Sequence, residues 1–311
     1  MTQPSHAIFE EIGHLDTERR DPLLADLDLM SIEHRCALQN RLDSEVAAAV
    51  ALEIDRIAEA VRVIVQSIRA GGRLIYVGAG TSGRLGVLDA AECPPTFGTP
   101  PELVQAIIAG GLPALTQPVE GAEDDRAAGA AAIDAKGVSA DDCVVGITAS
   151  GRTPYVLAAL ERAIQRGAAC IGITNNRPSE IEFCARITIA VLVGPELIAG
   201  STRLKCGTAQ KLVLNMLTTQ AMIEFGKTYG NAMVDVTATN AKLKARAHRM
   251  VRELTGADDD KAADALAHAN GSAKLAILML MRGVDAQQGR ALLEKSGGKL
   301  RRALELEVEC G

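Results

Sequence analysis

Two short segments of the chain repeat the same three residues. Gly78-Ala79-Gly80-Thr81-Ser82-Gly83-Arg84 carries Ser-Gly-Arg once, and Ala149-Ser150-Gly151-Arg152-Thr153-Pro154 carries it again. Each follows an apolar run and precedes a segment of helical pattern. Hydroxyls beside the backbone N–H groups of a helix N-terminus suit a compact phosphate monoester. Thr81, Ser82, Gly83, Ser150, Gly151 and Thr153 are therefore the candidate phosphate and sugar ligands. Thr153 or Ser150 could also simply cap the next helix, with Pro154 in its first turn. Gly78 to Gly83 fits GxGxxG, but the next apolar run ends in Ile107-Ile108-Ala109-Gly110-Gly111, without the acid that holds a dinucleotide ribose. No lysine follows the glycines, so the loop is not a Walker loop either. A third hydroxyl-rich stretch, Gly200-Ser201-Thr202-Arg203-Leu204-Lys205, could close the same pocket through Ser201 and Lys205, or act only as a capping segment.

Two glutamates are candidates for acid–base work. Glu92 precedes Cys93-Pro94-Pro95, which predicts a helix end there. A carboxyl at a helix C-terminus meets the negative end of the dipole, and if also partly buried it becomes a candidate acid. Glu123, in Val119-Glu120-Gly121-Ala122-Glu123-Asp124-Asp125, is expected at a helix start, where the anion is favoured and a base results. Carboxyls pushed apart in this way form an acid–base pair. The plain alternatives are a surface residue for Glu92 and a dipole partner for Glu123. Ser82 and Glu92 are ten residues apart, a rise of about 15 Å in a straight helix. That exceeds a hexose phosphate, so either the helix bends or Glu92 serves a neighbouring subunit's pocket. The second is preferred and predicts a dimer.

The elements that must position these residues follow from patterning. Arg73 to Val77, Leu103 to Ile108, Cys143 to Thr148, Cys170 to Thr174 and Ile187 to Val193 read as strands, most of them apolar throughout, as in strands buried on both faces. Helical segments are predicted near 82–92, 122–136, 153–166 and 178–184. Ahead of them, Val46, Val50, Ile54, Ile57, Val61, Ile64 and Ile68 form one helical stripe, stopped by Gly71-Gly72. A long helix is predicted from Thr202 to Phe225. The fold class is α/β, a doubly wound five-stranded parallel sheet with helices on both faces. In the order 2-1-3-4-5, strands 1 and 3 flank the switch point, so both Ser-Gly-Arg loops would face one crevice. The expected domains are an N-terminal arm and helix over 1–43, the sheet domain over 44–244, and a small helical domain over 245–311.

Composition excludes several classes. The chain has 311 residues, 48% hydrophobic and 23% charged, enough for a full core. A net charge of -6 with 2% aromatics argues against nucleic-acid binding. No apolar run approaches the length of a membrane span, and the N-terminal stretch lacks a signal peptide's apolar core. Seven cysteines without a CxxC pair, and five histidines without ligand spacing, predict a reduced cytoplasmic protein with no structural metal or disulfide framework.

These motifs together resemble the N-acetylmuramic acid 6-phosphate etherase family. The resemblance is carried by Gly78 to Arg84, Leu88 to Phe97 around Glu92-Cys93-Pro94-Pro95-Thr96, Val119 to Asp124, Ala149 to Val156, and Gly207 to Met216; it covers about 40–305. It implies a sugar isomerase (SIS) domain and a C-terminal helical domain resembling a ubiquitin-associated fold. It also implies a homodimer and a cytoplasmic role in recycling cell-wall sugar. It makes Glu92 the proton donor and places the second active-site glutamate on Glu123. Ser82, Ser150 and Thr153 fall where SIS domains hold the sugar phosphate. The implied reaction is elimination of D-lactate followed by hydration, a carbon–oxygen lyase chemistry that needs no cofactor and no metal. Two alternatives stay open: an SIS aldose–ketose phosphosugar isomerase, and a non-catalytic phosphosugar sensor like the glucokinase regulatory protein.

Overall fold

A computed structural model describes residues 15–236 and 241–306. The first fourteen residues of the expected N-terminal arm lie outside the described residues. Two compact units form: one runs through Ala91 and resumes over Glu102–Leu217, the other takes Glu92–Pro101 and the chain from Thr218 onward.

The first unit is built on a five-stranded parallel sheet: β1 (Leu74–Gly78), β2 (Val104–Ile108), β3 (Cys143–Ile147), β4 (Ala169–Thr174) and β5 (Ile187–Ala190). Their spatial order is β2-β1-β3-β4-β5, the doubly wound order with β1 and β3 at its switch point. Every residue of β1 and β3 is buried, which is why their sequences are apolar without alternation. Ahead of the sheet come α1 (Ile32–Ser44), α2 (Val46–Ala51) and α3 (Ile54–Arg69). The single stripe expected over 46–68 is broken between α2 and α3, where Leu52 is 86% exposed. Val46 and Val50 of α2 are buried, Ile54 is exposed, and within α3 the face turned to the core starts at Ile57.

The crossovers are α4 (Gly80–Phe97), α5 (Arg126–Ala135) and α6 (Pro154–Gln165); α7 (Lys205–Glu224) follows the sheet. On one face Ile75, Val77 and Val144 pack with Ile133, Val156 and Leu160. At the strands' N-terminal ends, buried Asp142 accepts from the backbone amide and the Nε and Nη2 of Arg73 at 2.8, 3.0 and 2.7 Å, and from the Ser139 amide at 2.9 Å. Burial pushes the Asp142 carboxyl up, but these bonds hold it below its ordinary value.

Four helix boundaries differ from expectation. The helix after β1 does not stop at Cys93. It continues to Phe97 with Pro94 and Pro95 inside it. Proline's fixed φ is helical, so the path survives although Ala90 and Ala91 lose their i+4 donors; the Gly98 amide closes the last turn on the Pro94 carbonyl at 2.9 Å. The second crossover helix begins at Arg126 rather than 122, because Asp125 caps it by accepting from the Ala128 amide. The segment near 178–184 is only a 3-10 turn, Glu180–Phe183. The long helix starts at Lys205, behind a turn over 201–204.

The second unit holds the last helices: α8 (Ala241–Thr255), α9 (Asp259–His268), α10 (Ala273–Arg282), α11 (Ala286–Lys295) and α12 (Leu300–Glu305). Val251, Ala262, Ile277, Leu278 and Leu300 are among its core residues. Lys274 is buried there; its Nζ donates to Asp235 at 2.6 Å and to the Gly298 carbonyl at 3.0 Å. Burial lowers its pKa while Asp235 opposes the shift.

Candidate functional site

Both Ser-Gly-Arg turns leave the C-terminal edge of neighbouring strands, since Gly78 of β1 and Ile147 of β3 are register partners. The first turn runs directly into α4. Gly83 there is pressed against the chain it has just left: a Cβ would lie 2.8 Å from the Gly78 carbonyl oxygen and 2.6 Å from Ile108 Cγ1. Ser82 is buried, and its hydroxyl donates to Gln210 Oε1 at 2.9 Å. Gln210 Nε2 donates to Asn175 Oδ1 at 3.1 Å, and Asn175 Nδ2 donates to the Val191 carbonyl at 2.9 Å. The Asn175 amide donates to the Ala149 carbonyl at 3.0 Å, one residue before Ser150. A buried polar chain thus ties the β1 turn to the β3 turn through α7 and the end of β4.

The second turn is organised by Thr148, which is almost fully buried. Its Oγ1 lies 2.7 Å from Thr153 Oγ1 and 3.3 Å from Ser150 Oγ, and accepts from the Gly151 amide at 3.2 Å. Thr153 holds the N-cap position of α6 with Pro154 next, but makes no side-chain cap bond. Both its hydroxyl and that of Ser150 are gathered in one cluster instead. Gly151 has φ +76°, and a Cβ would meet Ser179 Cβ at 2.4 Å. Its carbonyl accepts from the Ile181 amide at 2.8 Å.

Glu123 lies in the turn before α5, two residues ahead of the cap Asp125, not within the helix. Its carbonyl accepts from the Tyr155 amide at 3.0 Å, which pins its backbone to the start of α6, beside the hydroxyl cluster. Its side chain is exposed. Glu92 is exposed too, and sits five residues before the end of α4 rather than at that end. Thr81 is half-buried in the first turn of α4. Ser201 is half-buried in the turn before α7. Lys205 is buried, with its Nζ on the Val193 carbonyl at 2.5 Å.

Several residues of this region were not singled out from sequence. Glu196 is 1% exposed and caps α7 with both oxygens, accepting from the Lys205 and Cys206 amides at 2.8 and 2.9 Å. Asn175, Gln210 and Thr148 form the polar links just described. Thr17 is also buried: Asn176 Nδ2 donates to its Oγ1 at 3.1 Å, and its carbonyl accepts from the Gly200 amide at 3.0 Å. Only Thr148 and Asn175 carried a signal in the sequence, as polar residues directly following apolar strands. Among the described residues no group of three or more His, Cys, Asp or Glu could hold a metal ion. Among the same residues no helix is long and apolar enough to cross a membrane. Burial raises the pKa of Cys170, to about 12, and that of Cys143 beyond it, so neither thiol ionises near neutrality.

Parallel sheet, switch-point turns and hydroxyl cluster together define an SIS domain. Residues 127–220 match the SIS domain profile, and residues 56–164 match that of the glucokinase regulatory protein N-terminal SIS domain. An N-acetylmuramic acid 6-phosphate etherase of Mycolicibacterium smegmatis is 50% identical over 94% of this chain and 99% of its own length. One from Symbiobacterium thermophilum is 55% identical over 88% of this chain and 91% of its own. The chain belongs to the N-acetylmuramic acid 6-phosphate etherase family, and so is an enzyme. Among solved structures, a phosphoheptose isomerase from Neisseria gonorrhoeae aligns at a TM-score of 0.48 with 18% identity, over 61% of this chain and 98% of that one.

Proposed function

We propose that the chain cleaves the D-lactyl ether of N-acetylmuramic acid 6-phosphate, giving N-acetylglucosamine 6-phosphate and D-lactate. One observation carries this reading: the hydroxyl-lined turns of β1 and β3 meet at one sheet edge, joined through Gln210 and Asn175. There Thr81, Ser82, Ser150 and Thr153 hold the 6-phosphate, with Gly83 and Gly151 letting the backbone come close. Ser201 and Lys205 border the sugar. In the ring-opened substrate, the C1 aldehyde makes the C2 proton acidic. Glu123 removes that proton, the C3–O bond breaks, and Glu92 protonates the departing lactate oxygen. Water then adds at C3 and a proton returns to C2. Only protons and water are exchanged, so the enzyme is a carbon–oxygen lyase that draws on no redox cofactor. The span from Ser82 to Glu92 along α4, about 15 Å by the standard rise, supports a reading in which the Glu92 of each site comes from a second copy of the chain. The active unit is then a homodimer, working on recycled cell-wall sugar in the cytoplasm.

Incubation with N-acetylmuramic acid 6-phosphate tests the reading. D-lactate should appear in step with N-acetylglucosamine 6-phosphate. Isomerised phosphosugar without lactate would instead establish an SIS isomerase. Binding without turnover would instead establish a sensor.

A further inference from the structure

The substrate of the proposed reaction is anionic at two ends: the 6-phosphate and the carboxylate of the lactyl arm. The hydroxyl turns account for the first. We infer that Arg152 binds the second, and so selects an ether-bearing acid sugar over a plain phosphosugar. The inference rests on the etherase reading above.

The two Ser-Gly-Arg motifs look equivalent in sequence but end differently in space. Arg84 turns its Nε onto the Leu115 carbonyl at 3.2 Å, a buttress for the chain after β2. Arg152 instead lines a cavity of about 540 Å³ together with Ser150, Asn176, Arg177 and Ser179. That cavity is thus lined both by Ser150 of the proposed phosphate turn and by Arg152 two residues on. The turn between them is firm. The Arg152 amide donates to Ser150 Oγ at 3.3 Å, and Gly151 is wedged against Ser179. The guanidinium therefore starts from a fixed point beside the phosphate ligands. Its long stem suits the width of a sugar ring, and its fork suits a planar carboxylate.

Among the described residues, each acid that lines the cavity already has a basic partner. Arg152 pairs with Glu180 at 3.3 Å, but the Glu180 side chain is 53% exposed, and such pairs hold weakly against a competing ligand. Asp16, the other acid of the cavity, pairs with Arg19 at 3.1 Å. Arg177 is the second cation there, and it pairs with Glu182, whose carboxylate also caps the Glu180–Phe183 turn. Arg152 is more buried than Arg177, at 22% against 46% side-chain exposure, and alone shares a turn with Ser150.

The test compares ligands with and without the arm. Arg152→Gln should raise KM for N-acetylmuramic acid 6-phosphate by roughly ten- to a hundredfold, the loss of one charge-assisted hydrogen-bonded pair. The inhibition constant of N-acetylglucosamine 6-phosphate, which lacks the arm, should stay within about twofold. Arg152→Lys should recover part of the loss. A parallel rise in both constants, or a rise in neither, overturns the inference. The unaltered enzyme offers a second arm should the variants fold poorly: the lactyl methyl ester should bind about as weakly as the acid binds to Arg152→Gln. Equal affinity for ester and acid also overturns it. An unaltered enzyme that released no lactate at all would sink the etherase reading instead, a separable result.

Discussion

At the residue scale, the site rests on hydroxyl groups held by other polar groups. Ser82 leans on Gln210, and Ser150 and Thr153 lean on Thr148. Ser82→Ala combined with Ser150→Ala should raise KM for the phosphosugar strongly, each lost bond to a charged group being worth about 1.5–3 kcal/mol. An unchanged KM would place the phosphate elsewhere. Asp142 makes a different point. Its carboxyl is held below its ordinary value by Arg73, so its stabilisation is fully present above the usual carboxylate range and is lost as pH falls through its lowered value. Asp142→Asn should lower stability by about 1.5–3 kcal/mol near neutral pH, with the deficit shrinking in acid. Melting temperatures followed against pH check this, and a constant deficit down to strong acid contradicts it. The hydroxyls stood out in sequence because Ser-Gly-Arg recurs after two strands that flank the switch point, whereas either turn alone reads equally well as a helix cap. Asn175 and Gln210 did not, because their partners lie far along the chain; Thr148 was hidden as the last residue of an apolar run, although its partners are within five residues.

At the element scale, the strands were legible and the helix ends less so. Residues buried on both faces leave an apolar run that needs no partner to be recognised, and β1, β3 and β4 show it. Helix ends depend on local competition. Pro94 and Pro95 read as a stop, yet they fit a helix whose last turn Gly98 closes. Asp125 took the cap that placed Glu123 outside α5. Backbone contact between Glu123 and Tyr155 restored its place by the site through a route no spacing shows. Gly151→Ala tests how firmly the β3 turn is built. Its Cβ would strike Ser179, and φ is positive, so the variant should lose about 1–3 kcal/mol of stability and bind phosphosugar more weakly. Calorimetry with a binding titration reads both, and an unperturbed variant would mean the turn is loose.

At the scale of the whole molecule, the proposed active site draws on two chains. Ser82 and Glu92 lie on a single helix, about 15 Å apart along its axis by the standard rise. Glu123 is anchored near the hydroxyl cluster of the β3 turn. Sedimentation should therefore find a dimer at working concentration. Mixing Glu92→Gln with Glu123→Gln chains should recover part of the activity that each lacks alone. A strictly monomeric yet active enzyme would contradict a shared site. Sequence could propose two acids and the span between them, but not a surface that would bring a second chain alongside, because such a surface differs little in composition from the rest of the exterior.

The division of labour between the two glutamates is the centre of the account, and turnover in deuterated water reads it directly. The unaltered enzyme should release D-lactate and leave deuterium at C2 of the product. Glu92→Gln should keep exchanging the C2 proton of the substrate while lactate release falls by orders of magnitude, and Glu123→Gln should lose both. Equal loss of exchange and release in Glu92→Gln, or lactate release that survives it, would contradict the assignment.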